Sequence, residues 1–332
     1  MDKIFPDWYN EYRSLINDKL RELYSSLDNH PLSLAVRYAI MRSGKRFRPI
    51  LTLLACEAVN GERRKAIPVS LAYELIHTSS LIIDDMFDDA DKRRGDLTVH
   101  KKWNRKIATL ASGILLNDTY GLLKFYKEDT LSKNQLYELI ECFVESVYKT
   151  VLGASLELER SELEKFSVEK YLEIVELKTC PLISLAAKAG AIVGGGRREE
   201  IEALHAYGKS IGYAWQIRDD LLDIYGTQDK IGKPVLNDLK EEDMNIVIIK
   251  LFAHLNNKEK DFLLGLWGKK DIERNEIEKI HELIEKYSVK EEISLLQNRY
   301  KDFAMEDLNF IEDSPAKEKL AELLEFVTTR EL

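Results

Sequence analysis

Proline, cysteine and unbroken apolar runs are what this chain of 332 residues has least of. Its 7 prolines leave wide gaps: none falls between Pro68 and Pro181, and the next after Pro181 is Pro234. Apolar side chains recur at three- and four-residue steps through those gaps, as in Leu136-Leu139-Phe143-Val147 and again in Ile280-Leu283-Ile284-Tyr287. A proline-free stretch with that period predicts helix after helix. Cys56, Cys142 and Cys180 are too few and too scattered for a disulfide framework or a zinc knuckle, and they suit a reducing cytoplasm. No stretch approaches the roughly 18 consecutive apolar residues that argue for a membrane span. The N-terminus, acidic and amphipathic, lacks the basic flank and apolar run of a signal peptide. A net charge of −9 speaks against a general nucleic-acid role. Alternating β-branched runs and Ser- or Gly-rich linkers are also missing. The expectation is a cytoplasmic, all-α protein: one domain over residues 1–332, a bundle of ten or more helices.

What is present is dominated by two acidic clusters of identical spacing. Asp84-Asp85-Met86-Phe87-Asp88 and Asp219-Asp220-Leu221-Leu222-Asp223 both read DDxxD. At helical spacing the first and last Asp share a face, where like charges mildly destabilise the helix. The helix before the first cluster is predicted to begin near Val69, and that before the second near Ile211; both are apolar on most sides. Either cluster alone reads equally well as a solvated acidic face. Two of them, each closing a buried apolar run, imply a shared polar cavity, because unpaired carboxylates in a dry core cost several kcal/mol each, of order 2–5. Paired carboxylates are what Mg²⁺ takes, together with water and phosphate oxygens. The spacing does not suit an EF-hand, whose ligands alternate around a central Gly.

Cations supply the counterpart. Arg42-Ser43-Gly44-Lys45-Arg46-Phe47-Arg48-Pro49 groups four of them around a glycine, and Arg93-Arg94-Gly95 follows the first acidic cluster. Lys178 and Lys233 recur later. In an acidic protein such local basic pockets suit anions of high charge density, held by Arg forks and Lys point charges. Metal-binding carboxylates beside them suit two diphosphate groups.

Taken together, GKRFRP, the Glu74-Leu75-Ile76-His77 segment, DDMFDDADKRRG, Lys178-Thr179 and QIRDDLLD resemble the trans-isoprenyl diphosphate synthases of the polyprenyl synthetase family, in the family's order, from about Val36 to Asp238. The resemblance implies the isoprenoid synthase fold with a central active-site cavity. It implies condensation of isopentenyl diphosphate with an allylic diphosphate, Mg²⁺ as cofactor, and a homodimer. Asp84 and Asp88, supported by Asp85, would coordinate Mg²⁺ on the allylic diphosphate; Asp219, with Asp220 and Asp223, would hold a further ion. Arg93 would contact the allylic diphosphate. Lys45, Arg48, His77 and Arg94 would bind that of isopentenyl diphosphate. Lys178, Thr179, Gln216 and Lys233 would line the reaction centre and steady the leaving diphosphate.

In that family, bulky aromatics in the turn before the first cluster shorten the product. Ser79 and Ser80 stand there in this chain, which implies products beyond fifteen carbons, twenty being the first choice. The chain also departs from the family. Glu242-Asp243 and Asn245 replace a Gly-Lys and a Thr beyond the second cluster, removing a diphosphate-facing lysine, with Lys240 a turn earlier as substitute. Ile83 stands where many relatives carry His, and Ser112-Gly113 where many carry Gly-Asp. Two alternatives remain: a weakly active regulatory subunit of a prenyl synthase, and a terpene cyclase on the same fold. The intact clusters weigh against the first. The second DDxxD together with Lys45, Arg48 and Arg94 weighs against the second.

Overall fold

A computed structural model describes residues 5–127, 130–158, 163–226 and 235–329. Its first helices are α1 (Asp7–Leu23), α2 (Pro31–Met41), α3 (Phe47–Ala58), α4 (Arg63–Phe87), α5 (Val99–Lys102) and α6 (Arg105–Gly121). There follow α7 (Lys133–Leu158), α8 (Val168–Lys178), α9 (Pro181–Gly194) and α10 (Arg198–Tyr225). The remainder are α11 (Asn237–Glu241), α12 (Ile246–His254), α13 (Asn257–Leu264), α14 (Arg274–Lys286), α15 (Val289–Leu308) and α16 (Pro315–Thr329). The all-α expectation holds. Among the described residues the only strands are the two-residue pair β1 (Lys92–Arg93) and β2 (Asp96–Leu97). Several helix starts are written in the sequence: Asn104, Ser167 and Asn245 each accept a hydrogen bond from a backbone amide two or three residues on.

The chain forms two compact units, each threaded by three stretches. The first comprises Met1–Val147, Leu182–His205 and Leu308–Leu320; the second comprises Tyr148–Pro181, Ala206–Asp307 and Ala321–Leu332. The core of the first unit is built by α3, α4 and α6, with Tyr9, Tyr12, Ile16 and Leu20 of α1 buried against it. Helix α9 comes so close to α3 that a methyl group at Gly190 would run into the carbonyl of Thr52. The core of the second unit gathers Tyr171 and Val175 of α8, Ile217, Leu221 and Ile224 of α10, Ile246–Ile249 of α12, and Ile280, Leu283 and Ile284 of α14.

Helix α4 differs from the sequence expectation in two ways. It begins at Arg63, six residues before Val69, and contains Pro68. Proline inside a helix forfeits a hydrogen bond and crowds the carbonyl four residues back. Here the Tyr126 hydroxyl donates to the Lys65 carbonyl at 2.8 Å and accepts from the Val69 amide at 3.3 Å, so it stands in for the missing Val69–Lys65 bond. Secondly, α4 holds an 18-residue window of mean hydropathy 1.4, long and apolar enough by composition to cross a membrane. A count of uninterrupted apolar residues misses it because Glu74 and His77 break the run. That window is 67% buried within the fold, as in the core helix of a globular protein. The second acidic helix also starts early, at Arg198 instead of near Ile211.

Candidate active site

In the first unit the last turn of α4 presents Asp84 half-buried, Asp88 exposed at the helix C-cap, and Asp85 buried. Asp85 faces the other way and forms an ion pair with Arg93. Thus Asp84 and Asp88 are the pair one helical turn apart, and Asp85 orients an arginine. The RRG sequence is a tight hairpin: β1 and β2 pair Arg93 with Asp96 and Lys92 with Leu97. Arg94 and Gly95 form its two-residue turn at φ 56° and 87°, the left-handed pair that such a turn demands. Arg42 clamps the hairpin through the carbonyls of Arg93 and Asp96, and the Tyr38 hydroxyl donates to that of Leu97 at 2.7 Å. The turn sends Arg94 Nη1 to the Ser43 carbonyl at 2.6 Å, where a side chain at Gly44 would collide with it.

Four guanidinium groups therefore gather around His77. Burial, then the charges of Arg48, Arg94, Arg93 and Arg46, hold its imidazole well below the usual range, so it is neutral at pH 7. Arg46 is committed elsewhere. It is buried at the start of α3, ion-paired with buried Glu74, with its Nε bonded to Asn17 at 2.9 Å and its Nη2 to the carbonyls of Ile40 and Arg42 at 2.8 and 2.9 Å. A cavity of about 20 Å³ lies among Arg42, Arg46, Glu74, Asp85, Arg93 and Arg94. Lys45 is exposed and Arg48 half-buried; the Tyr9 hydroxyl holds the Lys45 carbonyl at 2.7 Å. Ser79 is buried: its Oγ lies 2.7 Å from that of Ser112 and 3.1 Å from the Ser112 carbonyl on α6. The Ser80 hydroxyl returns to the His77 carbonyl at 2.9 Å.

The second unit carries the other predicted residues. The Thr179 hydroxyl donates to Gln216 Oε1 at 2.9 Å, and Gln216 Nε2 donates to Asp220 Oδ1 at 3.0 Å. Lys178 closes α8 and is ion-paired with Glu157 of α7; a methyl group at neighbouring Gly153 would strike the Lys178 backbone. Lys233 lies outside the described residues. Of the second cluster, Asp219 is half-buried and accepts from Trp215 Nε1 at 3.0 Å. The other two hold backbone. Asp220 Oδ2 accepts the Ile246 amide at 2.8 Å, and Asp223 accepts those of Asn237 and Asp238 at 2.9 and 3.3 Å. Burial, with the Asp238 carboxylate second, raises the Asp220 carboxyl well above the usual range.

The departures from the family pattern acquire physical content here. Buried Asn245 donates to the Asp220 carbonyl at 3.2 Å and to Asp238 at 2.9 Å while its own Oδ1 caps α12 at the Val247 amide. It is the tie that binds the acidic cluster to the next helix. Glu242 adopts a left-handed backbone at φ 63° and lies against Gly268. The residues that sequence reasoning left without a role are Glu74, Glu157, Asn245 and Asp238. Buried acidic or amide side chains beside a basic or acidic motif were the available signal.

Among the described residues no group of three or more Asp, Glu, His or Cys side chains is placed to hold a metal ion. That suits Mg²⁺ held by one or two carboxylates with water and phosphate oxygens. Asp84 and Asp88, hard oxygen donors on one exposed helical turn, fit such an ion.

Comparison with known proteins agrees with this site. The polyprenyl synthetase family model matches residues 29–284. The short chain isoprenyl diphosphate synthase of Methanothermobacter thermautotrophicus is 35% identical over 325 residues, 98% of each chain. The geranylgeranyl diphosphate synthase of Saccharolobus solfataricus is 28% identical over 95% of this chain and 93% of its own. A crystal structure of geranylgeranyl pyrophosphate synthetase from Pyrococcus horikoshii superposes with a TM-score of 0.90 at 30% identity, covering 97% of both chains. With both acidic clusters, GKRFRP and the arginine hairpin in place on this helical fold, the chain belongs to the polyprenyl synthetase family and is a prenyltransferase.

Proposed function

We propose that this prenyltransferase joins isopentenyl diphosphate to an allylic diphosphate in a Mg²⁺-dependent reaction, with geranylgeranyl diphosphate as its main product. The observation that carries the reading is the arrangement at the end of α4. An outward carboxylate pair, Asp84 and Asp88, shares one unit with Arg48, Arg93 and Arg94 around neutral His77. Mg²⁺ at the carboxylates would neutralise charge on the allylic diphosphate as it departs. Arg93, positioned by Asp85, binds the same diphosphate. Lys45, Arg48 and Arg94 take the diphosphate of the homoallylic partner, and His77, uncharged, donates or accepts a hydrogen bond without adding to the repulsion among the arginines.

In the reaction, the allylic C–O bond breaks with its electron pair leaving on diphosphate. The isopentenyl double bond attacks the allylic carbon to form the C–C bond, and loss of a proton restores an alkene. Stabilising the leaving charge by preplaced cations is the enzyme's main contribution. Asp219 is assigned a further ion on the family's pattern, and Lys178, Thr179 and Gln216 the steadying of the leaving group. Asp220 and Asp223 serve the site by fixing the backbone around them. Relatives with short-chain and geranylgeranyl names support the product assignment, as do small side chains at Ser79 and Ser80.

A homodimer in the cytoplasm is part of the proposal. Tyr137, Val144, Tyr148 and Val151 form an exposed stripe along α7, and Leu110 and Ile114 are exposed on α6. A monomeric mass at micromolar concentration refutes this part. The activity is tested with purified protein, Mg²⁺, labelled isopentenyl diphosphate and each allylic primer, the products being dephosphorylated and sized. Chain-extended alcohols that vanish on chelation are expected. No extension from folded protein overturns the reading in favour of a regulatory subunit, and cyclic hydrocarbons in place of extended alcohols favour a cyclase.

A further inference from the structure

The largest cavity described in the first unit is not used by any role assigned so far. It encloses about 540 Å³ between the C-terminal half of α1 (Asn17, Arg21, Tyr24), the adjoining Ser25, Arg37 and Met41 of α2, and Ser43 and Arg46 of the loop into α3. That volume is in the range of small-molecule sites, about 300–1,000 Å³. Its wall is unusual: three arginines, no carboxylate, and a single aliphatic side chain, Met41. The nearby carboxylates are spent or solvated. Asp18 pairs with Arg21 at 2.6 Å with both side chains mostly exposed, Asp28 is exposed, and Asp118 accepts the Tyr24 hydroxyl at 2.9 Å.

Hydrogen bonding points the same way. Arg37 gives Nη2 to the Leu27 carbonyl, whereas its Nε is buried with no partner. A buried donor without an acceptor is costly, and an oxygen-rich ligand in the cavity supplies one. Arg21 is held only by a solvent-exposed ion pair, which is weak and readily exchanged. Guanidinium forks of this kind match phosphate oxygens in geometry and charge.

We propose that this cavity is a second anion site, distinct from the substrate-diphosphate residues, and that it takes a polar diphosphate. The near absence of apolar wall rules against a prenyl tail, so inorganic pyrophosphate fits it better than an isoprenoid diphosphate does. Ser43 and Arg46 flank Lys45, and the Ser43 carbonyl receives Arg94, so occupancy bears on the loop that grips the homoallylic diphosphate. This last consequence rests on the function proposed above; the binding itself does not.

Calorimetry of the full chain with pyrophosphate, in chelator to silence metal-dependent binding, tests the site. Wild type is expected to bind with an affinity that falls as salt rises. Arg21→Glu, at a mostly exposed position, is expected to weaken binding about tenfold or more, and Arg37→Gln to do likewise with an unchanged melting temperature. Lys45→Ala and Arg48→Ala are expected to leave it in place. Unchanged affinity in Arg21→Glu, loss in Lys45→Ala or Arg48→Ala instead, or no binding by wild type would each overturn the proposal. Equal or tighter binding of geranylgeranyl diphosphate at the Arg21-dependent site would overturn the choice of a polar ligand. Chain extension, measured separately, reports on the function proposed above and leaves this result unaffected.

Discussion

Replacing Glu74 by Gln removes one negative charge from a place where almost nothing can compensate for it. The Arg46 and Glu74 side chains are 3% and 5% exposed. Gln still accepts the hydrogen bond from Arg46 Nη1, and Asn17 and the carbonyls of Ile40 and Arg42 still take the others. What is lost is the only opposite charge paired directly with a buried guanidinium, with Arg94 and other arginines near it. Breaking such a buried pair costs about 3–5 kcal/mol, a large share of a typical total of about 5–15. Removing the cation as well, by Arg46→Met in the same chain, restores part of this. Recovery is incomplete because the Ile40 and Arg42 carbonyls then lose their donors, at about 1 kcal/mol each. The double variant is expected to fall short of the summed single losses by about 2 kcal/mol or more. Urea titration followed by circular dichroism measures each value, provided the slope with denaturant stays constant. A Glu74→Gln loss under about 1 kcal/mol, or strict additivity in the double variant, would refute the argument that the pair is a charge-compensated unit.

Two further outcomes follow from the site. Ser79→Phe presses a ring toward Ser112 and α6, so it is expected to shorten the product and to cost about 1–3 kcal/mol in overpacking; a folded variant with an unchanged product distribution would sink the chain-length assignment. His77 is neutral when folded because its pKa lies well below 6.5, so between the two values the unfolded chain binds the extra proton and stability falls as pH drops. His77→Gln is expected to flatten that part of the stability curve, and an unaltered slope below pH 6.5 would show that the arginines do not act on it.

The helical fold was legible because proline gaps and three- to four-residue apolar spacing are local signals. Pro68 misled for a reason that is not local: the hydroxyl that makes it tolerable belongs to Tyr126, 57 residues away from the amide it serves. The hairpin at Arg93–Asp96 was visible only as a Gly95 turn, since two-residue strands are too short to show alternation. The acidic clusters and basic loop stood out because charge at the end of an apolar helix is expensive. Sequence spacing could not divide labour within them. Asp84 and Asp85 are neighbours, yet one is turned out and the other pairs with an arginine; Asp220 and Asp223 look like ligands until Ile246, Asn237 and Asp238 arrive to claim them. The Lys178 partner Glu157 was equally hidden, being brought up by a close approach at Gly153.

The threading of the chain carries a consequence for how the protein comes into being. The first unit is closed by Leu308–Leu320 and the second by Ala321–Leu332, although both have segments made much earlier. A nascent chain emerging from the ribosome can therefore form local helices but can complete neither core until translation has passed α15. Early apolar faces such as that of α4 must wait, exposed, for partners still unsynthesised, which is the period when aggregation competes with folding. Slow synthesis lengthens that wait, and chaperone binding during it would protect yield more than any stabilisation of the finished enzyme.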